Sequence, residues 1–322
     1  LPEMNAEAAR IILDTDIGND VDDVLAMSML HALQSNGECE LLGVCVSKGS
    51  IWGPRLAGVI NRFYQRADVP VAWVGPGGPT PDAGRFARQV CLMHPGLDEK
   101  REFQQGVDLL RRTLAAQGDM SVTVVSIGFM TNLAALLESG PCPHSPLGGR
   151  ELVRRKVKLL SIMAGDFSPK AIAASDQRFG EFNIVQDPSS ARSVLSNWPG
   201  LVVFTGYELG AEVLYPGSNI RDGFAWAGPH PVVDAYNLFS QMPYDRPCWD
   251  VIAAMYAVRP DLEDLRLSPP GKVGLFPAGN TSFAYDASGR HFHLTINPGR
   301  GEHLQRMFTD LCSQPVQAAC AR

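Results

Sequence analysis

The stretch Arg10–Met27, RIILDTDIGNDVDDVLAM, sets an apolar run directly against five aspartates, Asp14, Asp16, Asp20, Asp22 and Asp23. RIIL has strand length, and DDVLAMSMLHALQ behind it has helical spacing, with Gly18 where the backbone must turn sharply. Two carboxylates about 5 Å apart repel by roughly 3 kcal/mol at an effective dielectric near 20. Five together call for a cation, protonation or wide splaying, and a bound cation is the leading expectation. Carboxylates are hard oxygen donors suited to Ca²⁺ or Mg²⁺. The plainer reading makes Asp20 a helix cap with Asp22 and Asp23 as first-turn acids, which explains one or two aspartates but not five.

Outward from this stretch the pattern repeats. CELLGVCVS, VPVAWVG, SVTVVSIG, VKLLSIMAG and LVVFTGYELG are strand-sized, and they alternate with helix-period segments such as GPRLAGVINRFYQR and TNLAALLES. That alternation predicts an α/β fold in one domain over residues 1–322, a central, mostly parallel sheet flanked by helices. Residues 1–9 and 312–322 read as a loose leading segment and a loosely specified tail. Two Gly- and Pro-rich stretches, GPGGPTPDAGRFARQVCLMHPGLDEK and GPCPHSPLGGRELVRRK, read as loops. YDRPCWDVIAAMYAVRP reads as a helix stopped by Pro260, and FAYDASGRHFHLTIN as a hairpin turning at DASG. In open parallel sheets ligands sit beyond the carboxyl ends of the strands, which is where the aspartates, SIGFMTN and MAGDFS fall.

Whole-chain features narrow the partners. The net charge of −6 gives no general pull toward nucleic acid or anionic membranes, so small molecules are favoured. No apolar run is long enough to cross a bilayer. Assembly with further copies of the chain stays open. The seven cysteines include no CxxC pair; a chain with no disulfide is the first expectation, and Cys312 with Cys320 the one pairing considered. The sequence starts at Leu1 rather than at an initiator Met, so a removed signal peptide, with a secreted or periplasmic location, is expected ahead of a cytoplasmic one.

The aspartate cluster is not an EF-hand, because Gly18 falls too early and a strand replaces the entering helix. Phosphatases of the haloacid dehalogenase type also carry DxD after their first strand, but follow it with Thr or Val where this chain has Ile17 and Gly18. Taken with four later segments, the cluster resembles the inosine-uridine type nucleoside hydrolase family, whose opening signature is DxDxGxDDA. SIGFMTNLAALL is similar to the family's GPLTN segment, IMAG to its MGG, GEFNIVQDPSSARSVL to its AEFN segment, and CWDVIAAMYAV to the segment with its late aspartate. The resemblance implies a Rossmann-like sheet fold, a Ca²⁺ cofactor and hydrolysis of the N-glycosidic bond of a ribonucleoside or similar N-riboside. It makes Asp16 both a Ca²⁺ ligand and the base that takes a proton from water. Asp23, Asp250 and the Ile127 carbonyl complete the metal shell, and Asp22, Glu181, Asn183 and Met163 contact the sugar. A metal that lowers the pKa of water beside carboxylates that steady an oxocarbenium-like sugar is consistent chemistry.

The chain also departs from its family. GNDVDD has two residues more than the signature, so the loop is read with a gap that keeps Asp22 and Asp23 in place; Asp20 is then an extra acid without an assigned role. Trp249 stands where one branch of the family has a histidine that protonates the leaving base; the purine-preferring branch has Trp there, to stack on the base. Trp249 as a plain core residue is the alternative. Ser175 replaces a sugar-binding Asn, which turns attention to Asp176 and Arg178 and motivates a second function, binding or cleaving another carbohydrate without nucleosidase activity. His94 and Tyr207 are further candidates for lining the site, with Glu208 beside Tyr207, whereas His291 and His293 read as surface or packing residues of a strand.

Overall fold

The computed structural model describes residues 7–81, 86–169 and 180–316. Its strands are β1 (Ala9–Thr15), β2 (Cys39–Val46), β3 (Val71–Trp73), β4 (Gln104–Gln105), β5 (Val122–Ser126), β6 (Val157–Met163), β7 (Val202–Thr205), β8 (Leu214–Tyr215), β9 (Arg246–Pro247), β10 (Leu265–Leu267), β11 (Gly271–Leu275), β12 (Thr281–Tyr285) and β13 (His291–Ile296). Among the described residues, one sheet runs in the order β12-β11-β13-β7-β6-β5-β1-β2-β3-β4. From β13 to β4 every neighbouring pair is parallel. Strands β10, β11 and β12 add antiparallel pairings at the β13 edge. The mostly parallel α/β fold read from the alternation is therefore present.

Side chains along β1 alternate between the two faces, as the period of a strand requires. Ile11 and Leu13 enter one hydrophobic cluster with the Asp22–Ser35 and Trp249–Val258 helices, and Ile12 enters another with the Thr131–Glu138 and Pro188–Asn197 helices. The sheet is thus covered on both sides, which is why its strands are apolar on both faces.

Chain order places the functional edge. From β1 the chain moves outward through β2, β3 and β4, then returns to β5 on the other flank of β1 and moves outward through β6 and β7. The direction reverses between β1 and β5, and a crevice opens beyond their carboxyl ends at such a switch point. The Ile127 N–H donates to the Asp14 carbonyl at 2.8 Å and the Ser47 N–H to the Thr15 carbonyl at 2.9 Å, tying three strand ends together there.

Four local expectations are corrected. Ala87–Met93 and Gly149–Lys156 are helices inside the stretches read as loops, since each places apolar residues such as Val90, Cys91, Leu152 and Val153 in the core. The chain turns at DASG, with the Gly289 N–H on the Asp286 carbonyl at 2.8 Å, but the hairpin is not formed: β11 lies between β12 and β13, and β12 pairs instead with β11 across Phe276–Asn280, closed by the Phe276 N–H on the Asn280 carbonyl at 2.9 Å. The late helix starts only at Trp249, because Arg246–Pro247 pairs antiparallel with Leu214–Tyr215 and the Cys248 N–H is held by the Val213 carbonyl at 3.0 Å. The six cysteines of the described residues are free thiols; Cys312 is buried, and Cys320 lies outside the described residues.

Candidate active site

Gly18 has φ +109°, a conformation that an L side chain rarely adopts, and it lets the chain leave β1 and double back into the Asp22–Ser35 helix. Gly128, just past β5, allows the two strand ends to close up: a Cβ there would lie 2.3 Å from the Asp16 backbone nitrogen. The two conformations bring Asp16 and Ile127 to one cavity of about 520 Å³, within the usual range for a small-molecule site. Asp20, Asp22, Asp23, Met163, Glu181, Asn183, Tyr207, Trp249 and Asp250 line the same cavity.

Its floor is acidic. Asp22 and Asp23 open one helix and Asp250 stands in the first turn of another, so both helix dipoles present their positive ends to the carboxylates. One oxygen from each of these three lies within 4.8 Å of the others, and all three residues are buried. The Asp250 N–H donates to Asp22 Oδ2 at 3.1 Å, and the Thr15 hydroxyl donates to Asp23 Oδ1. Burial and then repulsion from neighbouring aspartates, Asp16 and Asp20 among them, push all three carboxyls well above the ordinary range. Three buried carboxylates converging this closely fit a hard divalent cation bound through oxygen. Asp16 stands beside them: Asn19 Nδ2 donates to its Oδ2 at 2.6 Å, and Lys48 Nζ donates to Asn19 Oδ1. Burial raises Asp16 to about 6, with the Asn19 bond and the Lys48 charge opposing. Asp14 lies behind the floor, with Asn132 Nδ2 donating to its Oδ1 at 2.8 Å; burial lifts it to about 8.

The capping reading of Asp20 does not hold. Val21 is the N-cap residue and no side chain caps the helix. Asp20 instead forms a two-point ion pair with Arg246, Nε to Oδ1 at 2.9 Å and Nη2 to Oδ2.

On the neighbouring wall, Glu181 caps the Phe182–Val185 helix, taking the Asn183 N–H at 2.9 Å and the Gly165 N–H at 3.3 Å. Burial raises it to about 7 despite those bonds. Asn183 Nδ2 donates to the Met163 carbonyl at 3.1 Å, which fixes its amide beside Met163. The rim is aromatic. Tyr207 and Trp249 stack with ring centres 5.5 Å apart and an interplanar angle of 25°, and Trp249 Nε1 donates to the Tyr207 carbonyl at 2.8 Å. Trp249 is half-buried and lines the cavity, so it is not merely core. Phe182 and Phe239 complete the rim.

His94 does not line the cavity; its Nε2 meets Asp234 Oδ2 at 2.7 Å against the Pro231–Phe239 helix. His291 and His293 are packing residues, the latter stacked on Phe167. Glu208 accepts the Phe167 N–H at 2.9 Å. Ser175, Asp176 and Arg178 lie outside the described residues. Sequence reading missed Asn19 as the partner of Asp16, buried Lys48, and Arg246, Phe182 and Phe239. The one available signal for Lys48 was its place, two residues past the end of β2 at the ligand edge; Arg246 gave only its nearness to Trp249.

Residues 11–313 match the family described as inosine-uridine preferring nucleoside hydrolase. An uncharacterized protein of Schizosaccharomyces pombe is 31% identical over 198 residues, covering 58% of each chain. A protein of Enterobacter sp. (strain 638) named pyrimidine-specific ribonucleoside hydrolase RihA is 30% identical over 199 residues, 59% of this chain and 57% of its own. The chain thus spans little more than half the length of the curated relatives it matches. The solved structure of a plant nucleoside hydrolase superposes with TM-score 0.71 at 18% identity, covering 95% of this chain and 99% of that one.

Proposed function

The chain belongs to the inosine-uridine preferring nucleoside hydrolase family, and from that premise we propose that it hydrolyses the N-glycosidic bond of a ribonucleoside, purines ahead of pyrimidines, with Ca²⁺ as cofactor. The observation that carries the reading is one cavity lined by three converging carboxylates, Glu181 and Asn183, and by the aromatic rings of Trp249 and Tyr207. Asp22, Asp23, Asp250 and the Ile127 carbonyl, with Asp16 at their side, offer a hard oxygen set, and a Ca²⁺ held there would supply a water of lowered pKa.

Asp16 takes the proton of the attacking water. Asn19 holds one of its oxygens so that the other is aimed. Asp22, Glu181 and Asn183 hold the ribose hydroxyls beside Met163 and steady the positive charge that develops on the sugar. Trp249, backed by Tyr207, offers a flat face to the base.

Ribose release from inosine, adenosine, uridine and cytidine with Ca²⁺ present tests the reading. Purines are expected to turn over faster than uridine, and Asp16→Asn to lower kcat by about 10²- to 10⁴-fold. The pyrimidine-specific name of the Enterobacter relative makes uridine the sharpest comparison. Equal turnover of both bases removes the purine preference. No ribose from any nucleoside removes the activity and leaves the carbohydrate-binding reading, which calorimetry with free sugars would then support or reject.

A further inference from the structure

Among the described residues lining the cavity there is no histidine and one cationic side chain, Arg246. Its guanidinium carbon lies 5.4 Å from the centre of the Trp249 ring and 5.1 Å from that of Phe239. Two of its five N–H groups go to Asp20, and the other three have no protein partner among the described residues. The two-point bond to Asp20 fixes the plane of the fork, and β9 fixes its backbone through pairing with β8. An arginine serving only to brace the inserted loop would not need to line the cavity between two rings.

We propose that Arg246 stabilises the negative charge developing on the departing base, and that Asp20 of the inserted loop is the positioning residue that aims it; this rests on the nucleosidase reading above. In the step, the C1′–N bond breaks and its electron pair stays on the base nitrogen. The water oxygen bonds to C1′, and the water proton passes to the Asp16 carboxylate and on to solvent. The base anion leaves against the guanidinium and takes its proton from solvent. A guanidinium keeps its charge at working pH, so it acts as a fixed hydrogen-bond donor and not as a general acid. That supplies what the absent histidine would otherwise provide, and it gives the two-residue insertion a purpose.

The test compares two leaving groups in the full chain with Ca²⁺: inosine, whose base is a poor one, and p-nitrophenyl β-D-riboside, whose phenolate departs with little help. Arg246→Gln is expected to lower kcat/KM on inosine by about 10²- to 10³-fold, and at least tenfold less on the aryl riboside. Arg246→Lys should recover part of the inosine activity, and Asp20→Asn should show the same substrate bias in weaker form. Equal losses on both substrates, or no loss on inosine, overturn the proposal, because a merely structural arginine would not sort substrates by leaving group. Wild-type protein that cleaves neither overturns the nucleosidase reading itself, and this inference falls with it.

Discussion

The floor and the rim of the cavity are held together by different kinds of contact. The floor residues Asp16, Asp22, Asp23 and Asp250 sit just past a strand end or in the first turn of a helix and are buried; the first three are held by Asn19, the Asp250 N–H and Thr15. The rim residues Tyr207, Phe239, Arg246 and Trp249 come from four elements, Trp249 opening the helix that also carries Asp250; ring contacts and the Trp249 bond to the Tyr207 carbonyl join them, and an ion pair ties Arg246 to Asp20. A floor made this way keeps like charges close at a cost that a bound cation would offset. A rim made this way presents rings and one guanidinium instead of carboxylates, so it sets a different chemistry.

Removing the cation should break the contrast most severely. A divalent chelator is expected to abolish ribose release and lower the melting temperature, with Ca²⁺ restoring both; at a hundredfold excess over Kd a bound ion contributes about 2.7 kcal/mol, or roughly 5 °C in a chain of this size. Unchanged melting on chelation, measured by calorimetry, would show that the floor tolerates its own repulsion without an ion. A rim change should leave the effect of Ca²⁺ on stability alone. Trp249→Ala is expected to raise KM for inosine about 5- to 150-fold, from the 1 to 3 kcal/mol typical of base stacking, with a smaller change for uridine. Equal changes for both would mean that Trp249 supports the rim without touching the base.

The finest separation is by pH, in metal-free protein. Glu181 is raised to about 7, so the stability tied to it is present below its ordinary 4.5 and is lost as pH rises through 7. His31 and His230, in the helical layer, are lowered by burial to about 4 and about 3; their contribution is present above 6.5 and is lost as pH falls toward those values. Glu181→Gln is therefore expected to stabilise on the order of 2 kcal/mol at pH 8 and hardly at all at pH 5, whereas His31→Gln should flatten the acid loss. Urea midpoints at the two pH values decide it, and a Glu181→Gln variant weakened at both would mean that the carboxylate is needed for the cap alone.

The strand and helix alternation, the position of the aspartates past β1, and the order of five family-like segments were legible because each depends on residues close together in the chain. Three of the failed readings share one cause. The DASG hairpin, the early start of the last site helix and the Asp20 cap were all reasonable from local spacing. Each was overridden by a distant partner: β11 entering between two strands, β8 taking β9, and Arg246 taking an aspartate 226 residues away.

By itself, the sequence determined a parallel α/β sheet with a carboxylate cluster at its ligand edge, since hydrophobic period and glycine placement act within a few residues. Only the tertiary structure decided that the edge is the switch point between β1 and β5, that Asp22, Asp23 and Asp250 converge while Asp16 is held by Asn19, and that Arg246 faces the aromatic side. Those outcomes depend on which strands become neighbours and which buried charges find a partner, and such pairings carry no periodic signal along the chain.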